Sequence, residues 1–172
     1  MKKIIIILIV YIFQFNFVLA NTTIAFIDMD KIISTSKPGS NVKNQLNDIN
    51  KKNSKMFETN AKKLKKEETK LISQKNLLSD VDFQSSVNNL KLEIKNYNTN
   101  RDKVNNDFNK LRIVSTNKLL KLINPILMNY SNDKSISLIL NKKNLVIGKI
   151  ELDITDEIIK IIDKEIKQFK IQ

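Results

Sequence analysis

Short apolar runs at both ends of the chain flank a long middle section with helical periodicity. Near the start, Thr23–Asp28 reads Thr-Ile-Ala-Phe-Ile-Asp. Its apolar middle and strand-favouring residues predict a buried strand. Asp30–Ser34 then indicates a helical turn, and Pro38-Gly39 is the clearest breaking signal in the chain. We therefore expect a strand and a short helix before a break at residue 39.

The middle section has no proline or glycine between Gly39 and Pro125, an interval far longer than an ordinary globular helix. Two helices joined by one turn explain it, with the first arm expected over Ser40–Leu78. Apolar spacings of three, four or seven in this arm predict a narrow coiled-coil seam. The seam residues are Val42, Leu46, Ile49, Met56, Phe57, Ala61, Leu64, Leu71 and Leu78, with polar interruptions at Asn53, Glu68 and Lys75.

The second arm follows a heptad more closely. Its apolar positions are Phe83, Val87, Leu90, Ile94, Tyr97, Val104, Phe108 and Leu111, with Arg101 at one polar position. Serine and aspartate cap helix starts, so Ser79–Asp82 is the expected tip. Two arms of nearly equal length predict an antiparallel hairpin on the order of 60 Å long. The alternative is one long helix in a parallel oligomeric coiled coil.

Beyond Pro125 the pattern changes again. Ile136–Leu140 and Leu145–Ile147 are short apolar runs separated by Asn141–Asn144, which predicts a strand, a turn and another strand. Asp153–Glu157 supplies N-cap and first-turn acids for a last helix. That helix carries Ile158, Ile159, Ile161, Ile162 and Ile166.

Strands from the two ends of the chain must then share one small sheet. The predicted fold class is α+β, mostly α: a β-sheet body (residues 21–40 and 126–172) into which a coiled-coil helical hairpin (residues 41–125) is inserted. Such a small body buries little apolar surface to offset its chain entropy. We therefore expect association between copies. The apolar strands and the Ile-rich last helix could supply the interface, and the alternative is that they form the core of an isolated body.

The first 20 residues have the pattern of a secretory signal peptide. Lys2 and Lys3 precede an apolar run from Ile4 to Phe13, and the small residue Ala20 marks the expected cleavage point. An uncleaved anchor is the alternative, but the run is about half the roughly 20 residues that span a bilayer. The mature protein is expected to be soluble and to begin at Asn21.

The composition leaves little for catalysis or cofactor binding. The chain has no cysteine, histidine or tryptophan, so disulfides, thiolate metal sites and the usual general bases are missing. Only Gly39 and Gly148 are glycines, which excludes a glycine-rich phosphate loop. We expect no catalytic residues, no metal, no cofactor and no use of nucleotide.

The charge is strongly basic. The formal net charge is +12, and removal of Lys2 and Lys3 with the leader leaves +10. A surplus of this size favours acidic partners. The densest basic run, on the first arm, could steer acidic clients or contact anionic lipid: Lys62, Lys63, Lys65, Lys66 and Lys70. The alternative is a solvated helix face, partly neutralised by Glu67 and Glu68.

Both ends of the mature chain resemble the Skp/OmpH periplasmic chaperones. Ile24–Asp28, Lys31–Ile33 and Ser36–Gly39 look like that family's opening strand and short helix. Leu138–Leu140, Val146-Ile147 and Asp153–Thr155 look like its closing strands and the start of its last helix. The resemblance implies a periplasmic homotrimer whose hairpins surround a cavity, and unfolded outer-membrane proteins held there without nucleotide.

Two other functional classes fit parts of the sequence. A basic binder of nucleic acid or envelope polymers would use the charge, but the signal peptide argues against DNA. The arms also lack the Arg-rich or aromatic-interleaved patterns that contact bases. A structural coiled-coil adaptor of the envelope would use the arms. The interrupted first seam suggests arms that splay, which a rigid spacer would not need.

Overall fold

The computed structural model describes residues 22–171, so the expected signal peptide lies outside the described residues. Two short strands and four α-helices follow one another within residues 22–171. They are β1 (Thr23–Ile27), α1 (Met29–Thr35), α2 (Lys37–Ser73), α3 (Asp80–Asp133), β2 (Ile136–Asn141) and α4 (Thr155–Glu165), with 3₁₀ turns at Lys142–Asn144 and Ile150–Leu152. The predicted class, α+β and mostly α with a small sheet, is confirmed.

The sheet joins the two ends of the chain. β1 pairs with β2 in parallel, with Ala25 opposite Ile139 and Phe26 opposite Leu140. Parallel neighbours need a long crossover connection, and α2 and α3 supply it. On the other edge of β1, the backbone N–H of Ile154 donates to the carbonyl oxygen of Phe26 at 3.0 Å.

The strand predicted at Leu145–Ile147 is wrong. Lys142–Asn144 forms a 3₁₀ turn, and the Asn141 side chain caps it by accepting a hydrogen bond from the Lys143 N–H at 3.1 Å. Residues 153 and 154 already occupy the free edge of β1 through the isolated bridge from Phe26 to Asp153. The apolar run that follows the turn pairs with neither β1 nor β2.

The hydrophobic core lies where the sheet, α1, α4 and the near ends of the long helices meet. Its fully buried side chains are Ile32, Leu119, Ile123, Ile158 and Ile162, and Ala25 and Ile27 complete it from β1. Spacings of four residues place the core side chains of α3 and of α4 each on one helix face. These elements form the body; the parts of α2 and α3 beyond it are called the arms.

Pro38-Gly39 begins α2 rather than separating it from the body. Ser36 is the N-cap, and its hydroxyl accepts a hydrogen bond from the Gly39 N–H at 3.3 Å. Proline is tolerated in a first helical turn because its missing N–H would have no helical partner there. A Cβ at residue 39 would lie 2.0 Å from the carbonyl oxygen of Ile33, so glycine permits the close approach of α1 and α2.

At its far end, α3 continues past Pro125 to Asp133, eight residues beyond the predicted end of the arms. A proline inside a helix removes one hydrogen bond and crowds the preceding turn. Burial of Ile126 and packing of Leu127 and Tyr130 against the core offset this cost. The helix is followed by Ser135 at a φ of 52°, a left-handed conformation that glycine adopts more readily.

The turn between the arms also differs in position from the prediction. α2 ends at Ser73, and the turn occupies 74–79 rather than 79–82. Ser79 is the N-cap of α3, and its hydroxyl accepts a hydrogen bond from the Asp82 N–H at 3.2 Å. Asp80 and Asp82 therefore belong to the first helical turn, where carboxylates interact favourably with the helix dipole.

Candidate functional site

The arms make up most of the exposed surface that a partner could contact. At 1.5 Å per residue, the 37 residues of α2 and the 54 of α3 span about 55 Å and about 80 Å. No residue between Val42 and Ser115 is buried. The described arms therefore contact each other through half-buried side chains and have no dry core of their own.

In the contacts between the arms, residues nearer the end of α2 lie beside residues nearer the start of α3. Leu71 and Leu90 line one groove between the helices, and Leu64 and Tyr97 line another. The rings of Phe57 and Tyr97 meet edge to face with centroids 6.2 Å apart, a favoured aromatic geometry. Numbers that rise along one helix and fall along the other mean that the two helices run in opposite directions.

The α2 seam is shifted by one residue at two of its polar positions. Asn53 is half-buried as predicted, but Glu68 and Lys75 are exposed, and Glu67 and Gln74 are half-buried instead. Residues 67 and 68 both lie one turn from Leu64 and Leu71, so spacing alone does not choose between them. On α3, the predicted seam residues Ile94 and Arg101 are also exposed. The contact between the arms therefore contains more polar side chains than a coiled coil with an unbroken heptad would.

Four of the five predicted site lysines share one face of α2. Lys62, Lys65, Lys66 and Lys70 line a single groove with Thr69 and Ser73; we call these four the lysine stripe. Lys63 lies apart, in the groove between the arms with Leu64 and Glu93. On a helical wheel the stripe is centred opposite Leu64 and Leu71. Its edge residue Lys70 also lines the groove between the arms.

Ion pairs neutralise little of the stripe. Lys62 Nζ lies 2.5 Å from Glu58 Oε1, and Lys63 Nζ lies 3.5 Å from Glu67 Oε1. The hydrogen bond from Lys62 lowers the pKa of Glu58. Lys65, Lys66 and Lys70 form no ion pair with any residue in the range 22–171. Exposed pairs of this kind contribute little stability, so the stripe stays a basic surface.

Exposed apolar side chains cluster in two further places. On the body, Val146, Ile147 and Ile150 expose 103%, 90% and 84% of their surface. At the tip of the arms, Ile72, Leu77 and Val81 are exposed. Single exposed apolar residues are ordinary, but adjacent ones mark interaction surfaces. The sequence signal for the body cluster was the apolar run at 145–147, which was predicted as a strand.

The start of α4 is tied to the body by polar contacts. The Thr155 hydroxyl accepts a hydrogen bond from the Asp28 N–H at 2.8 Å, and Lys31 Nζ lies 2.6 Å from Asp156 Oδ1. Burial alone would raise the pKa of Asp153, but hydrogen bonds from Thr155 and Lys142 lower it below its usual value. Tyr130 donates to Glu157, and burial together with this bond raises the pKa of Tyr130 to about 12.

These contacts join α4 to β1, α1 and the end of α3. Within 22–171, no three His, Cys, Asp or Glu side chains are grouped so that they could hold a metal ion. None of the helices described is long and apolar enough to cross a membrane. The features available for binding are therefore the arms, the lysine stripe and the two apolar clusters.

This protein is of the class in which a small body of mixed α and β structure carries two long helices. A solved structure from Caulobacter crescentus, a candidate outer membrane chaperone (OmpH-like), shares this fold with a TM-score of 0.80. The match covers 87% of this chain and 88% of that one, at 13% sequence identity. No curated protein matches the sequence significantly.

The family follows from the sequence itself. The family model described as outer membrane protein (OmpH-like) matches residues 23–162, which cover β1, both arms, β2 and most of α4. The chain therefore belongs to the OmpH-like family. The predicted resemblance to this family is confirmed.

Proposed function

We propose that this protein is a nucleotide-independent holdase chaperone of the periplasm that binds unfolded outer-membrane proteins and catalyses no reaction. The observation that carries the proposal is a pair of arms, residues 43–73 and 80–114, about 45 Å and about 50 Å long, with no buried residue between Val42 and Ser115. Such arms offer a large surface without a shaped pocket. That surface suits clients that share no folded structure.

The proposed mechanism is physical. An unfolded barrel protein exposes apolar segments that aggregate with one another, and arms around it keep these segments apart. Apolar contacts along the arms hold the client weakly, so it can leave without an energy source. The lysine stripe adds attraction for acidic clients, or for anionic lipid at a membrane surface, because clustered charge raises association rates.

We propose further that three copies associate through the body, so that their arms surround a cavity. The small size of the body supports this, because it buries little apolar surface by itself. The exposed cluster of Val146, Ile147 and Ile150 supports it too, since association would cover these side chains.

The trimer is tested by placing charge on the body cluster. Val146→Asp with Ile147→Asp should give monomers in analytical ultracentrifugation, because an interface core does not accommodate unpaired carboxylates. Leu77→Asp at the tip is the control and should remain trimeric, since its side chain is exposed but far from the body. A double variant that still sediments as a trimer would place the interface elsewhere.

The holdase proposal is tested by light scattering. A urea-unfolded β-barrel protein is diluted into buffer with and without the mature protein, in the absence of nucleotide. We expect scattering to fall as the concentration of the protein rises and to level off at a fixed ratio. Undiminished scattering at every ratio would contradict the proposal and favour the alternative of a structural coiled-coil adaptor or a basic polymer-binding protein of the cell envelope.

A further inference from the structure

Residues 166–171 have no regular secondary structure and cross the bases of both arms; we call this segment the strap. α4 ends at Glu165, and the Ile166 N–H still donates to the Ile162 carbonyl oxygen at 2.9 Å. The chain then leaves the helix in an extended conformation. Ile166 and Phe169 pack against the hydrophobic core, while Lys167 and Lys170 are exposed.

The strap is held to α2 chiefly by one glutamine. Gln45 Nε2 donates to the carbonyl oxygen of Phe169 at 2.8 Å, and Gln45 Oε1 accepts from the Ile171 N–H at 3.2 Å. This carboxamide therefore pairs with the strap much as a neighbouring strand would. Gln45 Nε2 also donates to Asn41 Oδ1 at 2.6 Å, so both of its donors and its acceptor are used.

The strap is held to α3 by an aromatic contact. Lys118 Nζ lies 4.6 Å from the centroid of the Phe169 ring, within the range of cation–π attraction. Phe169 also lines a groove with Leu122 and Ile126 of α3. A single short segment thus touches both long helices.

The strap crosses α2 and α3 at the level where these helices leave the hydrophobic core. Val42 is the last buried residue of α2 along the chain, and Ser115 is the first buried residue of α3. Gln45 and Lys118 lie within one turn of these positions. The strap therefore spans the point where the two helices leave the core and become exposed arms.

We propose that the strap is a releasable tie that sets the angle at which the arms leave the body. Three hydrogen bonds to α2, including one of 3.4 Å from Asn41 Nδ2 to Gln168 Oε1, and one cation–π contact to α3 are few enough to break without unfolding the core. A rotation of about 10° at the base of an arm about 45 Å long moves its tip by about 8 Å. As a consequence that rests on the proposed function, release of the strap would widen the space for a large client.

The first measurement is hydrogen exchange of the strap in client-free protein. Gln45→Ala removes the two hydrogen bonds that Gln45 makes to the strap. The Ile171 amide should therefore exchange roughly 5- to 30-fold faster. The matched control is Gln84→Ala. Gln84 is an exposed α3 residue whose carboxamide bonds Asn88 four residues on at 3.2 Å, and it is remote from the strap. The Gln84→Ala variant should leave hydrogen exchange of the strap amides unchanged.

The second measurement reads the arm directly. The chain has no native cysteine, so Lys75→Cys at the tip and Lys160→Cys on α4 accept a pair of spin labels. Labelled chains are mixed with excess unlabelled chain, so only distances within one chain are observed. Gln45→Ala should broaden the distance distribution, Phe169→Ala should broaden it in the same way, and Gln84→Ala should not.

The outcomes separate the strap from the holdase. If strap exchange accelerates in Gln45→Ala but the distance distribution keeps its width, the strap does not hold the arm and the proposal is overturned. Unchanged strap exchange would overturn it as well. Both readouts use client-free protein, so they remain valid even if the light-scattering test fails. If both tests succeed, adding unfolded barrel to the wild-type protein should accelerate exchange of the Ile171 amide.

Discussion

Replacement of Gly39 by alanine sets two effects of opposite sign against each other. Residue 39 is in the first turn of α2 and has no positive φ, so helix propensity alone favours alanine by up to about 1 kcal/mol. The new Cβ would, however, lie 2.0 Å from the Ile33 carbonyl oxygen and 2.9 Å from Ser36 Oγ. Ordinary contact begins near 3.4 Å, so the backbones of α1 and α2 must separate by more than an ångström.

The steric effect should win. Overpacking a well-packed site costs about 1 to 3 kcal/mol and occasionally more, and here the obstacle is backbone, which cannot turn aside as a side chain can. Movement of Ser36 also weakens its cap on α2. After the gain in helix propensity is subtracted, we expect a net loss of about 2 kcal/mol. With a urea m-value of about 2 kcal/mol/M, the midpoint should fall by about 1 M.

Urea unfolding followed by circular dichroism measures this change, at one fixed protein concentration because association adds to stability. Gly148→Ala is the control. Its Cβ would meet only the Phe26 ring, at 2.9 Å, and a ring edge can move more easily than backbone. A Gly39→Ala midpoint equal to or above that of the wild type would refute the steric argument.

Three further changes have defined outcomes. Ser135→Gly should raise stability by about 1 kcal/mol in urea unfolding, because glycine tolerates the positive φ at this position; no gain would mean that the site is unstrained. Asp153→Asn should flatten the loss of stability in acid. A lowered folded-state pKa stabilises the fold above the unfolded-state pKa near 3.9, and that contribution disappears as pH falls through the folded-state value. If the urea midpoint of the variant falls between pH 6 and pH 3 by as much as that of the wild type, this prediction is wrong. Changing the lysine stripe to Gln should slow capture of an acidic unfolded barrel by up to about tenfold at low salt. The defect should shrink as the Debye length falls to about 8 Å at physiological salt. The control that changes Lys91, Lys95, Lys103 and Lys110 to Gln removes equal charge from α3, and equal slowing would mean that only net charge matters.

The long helices and the outer strands were predictable because their patterns are local. Thr23–Asp28 and Ile136–Leu140 differ from the observed strands by one residue each, since strand patterns rest on a few adjacent side chains. The gap without proline or glycine from Gly39 to Pro125 indicated two long helices for the same reason.

The errors arose where tertiary packing overrides a local signal. Pro125 reads as a helix end, but burial of Ile126 carries α3 past it. Leu145–Ile147 reads as a strand, but after the capped 3₁₀ turn at Lys142–Asn144 this run pairs with neither strand of the described sheet.

The candidate site was predictable only in part. The run of lysines can be recognised from the sequence alone, but only the helical geometry separates Lys63 from the stripe. The strap carries no recognisable motif. Gln45 and Phe169 are 124 residues apart, and nothing near either residue indicates the other. Contacts between distant polar groups depend on how the body closes, which periodicity does not encode.

The parallel pairing of β1 with β2 also imposes an order on folding. Ile27 and Ile136 are 109 positions apart, and contacts at such separation form slowly, whereas helix turns form within about a microsecond. A formed hairpin brings its two ends together and removes most of the closure entropy that a flexible loop of that length would cost. The arms should therefore form first and template the sheet. β2 and α4 lie in about the last fifth of the chain, so a chain that emerges N-terminus first would have complete arms before its body can close.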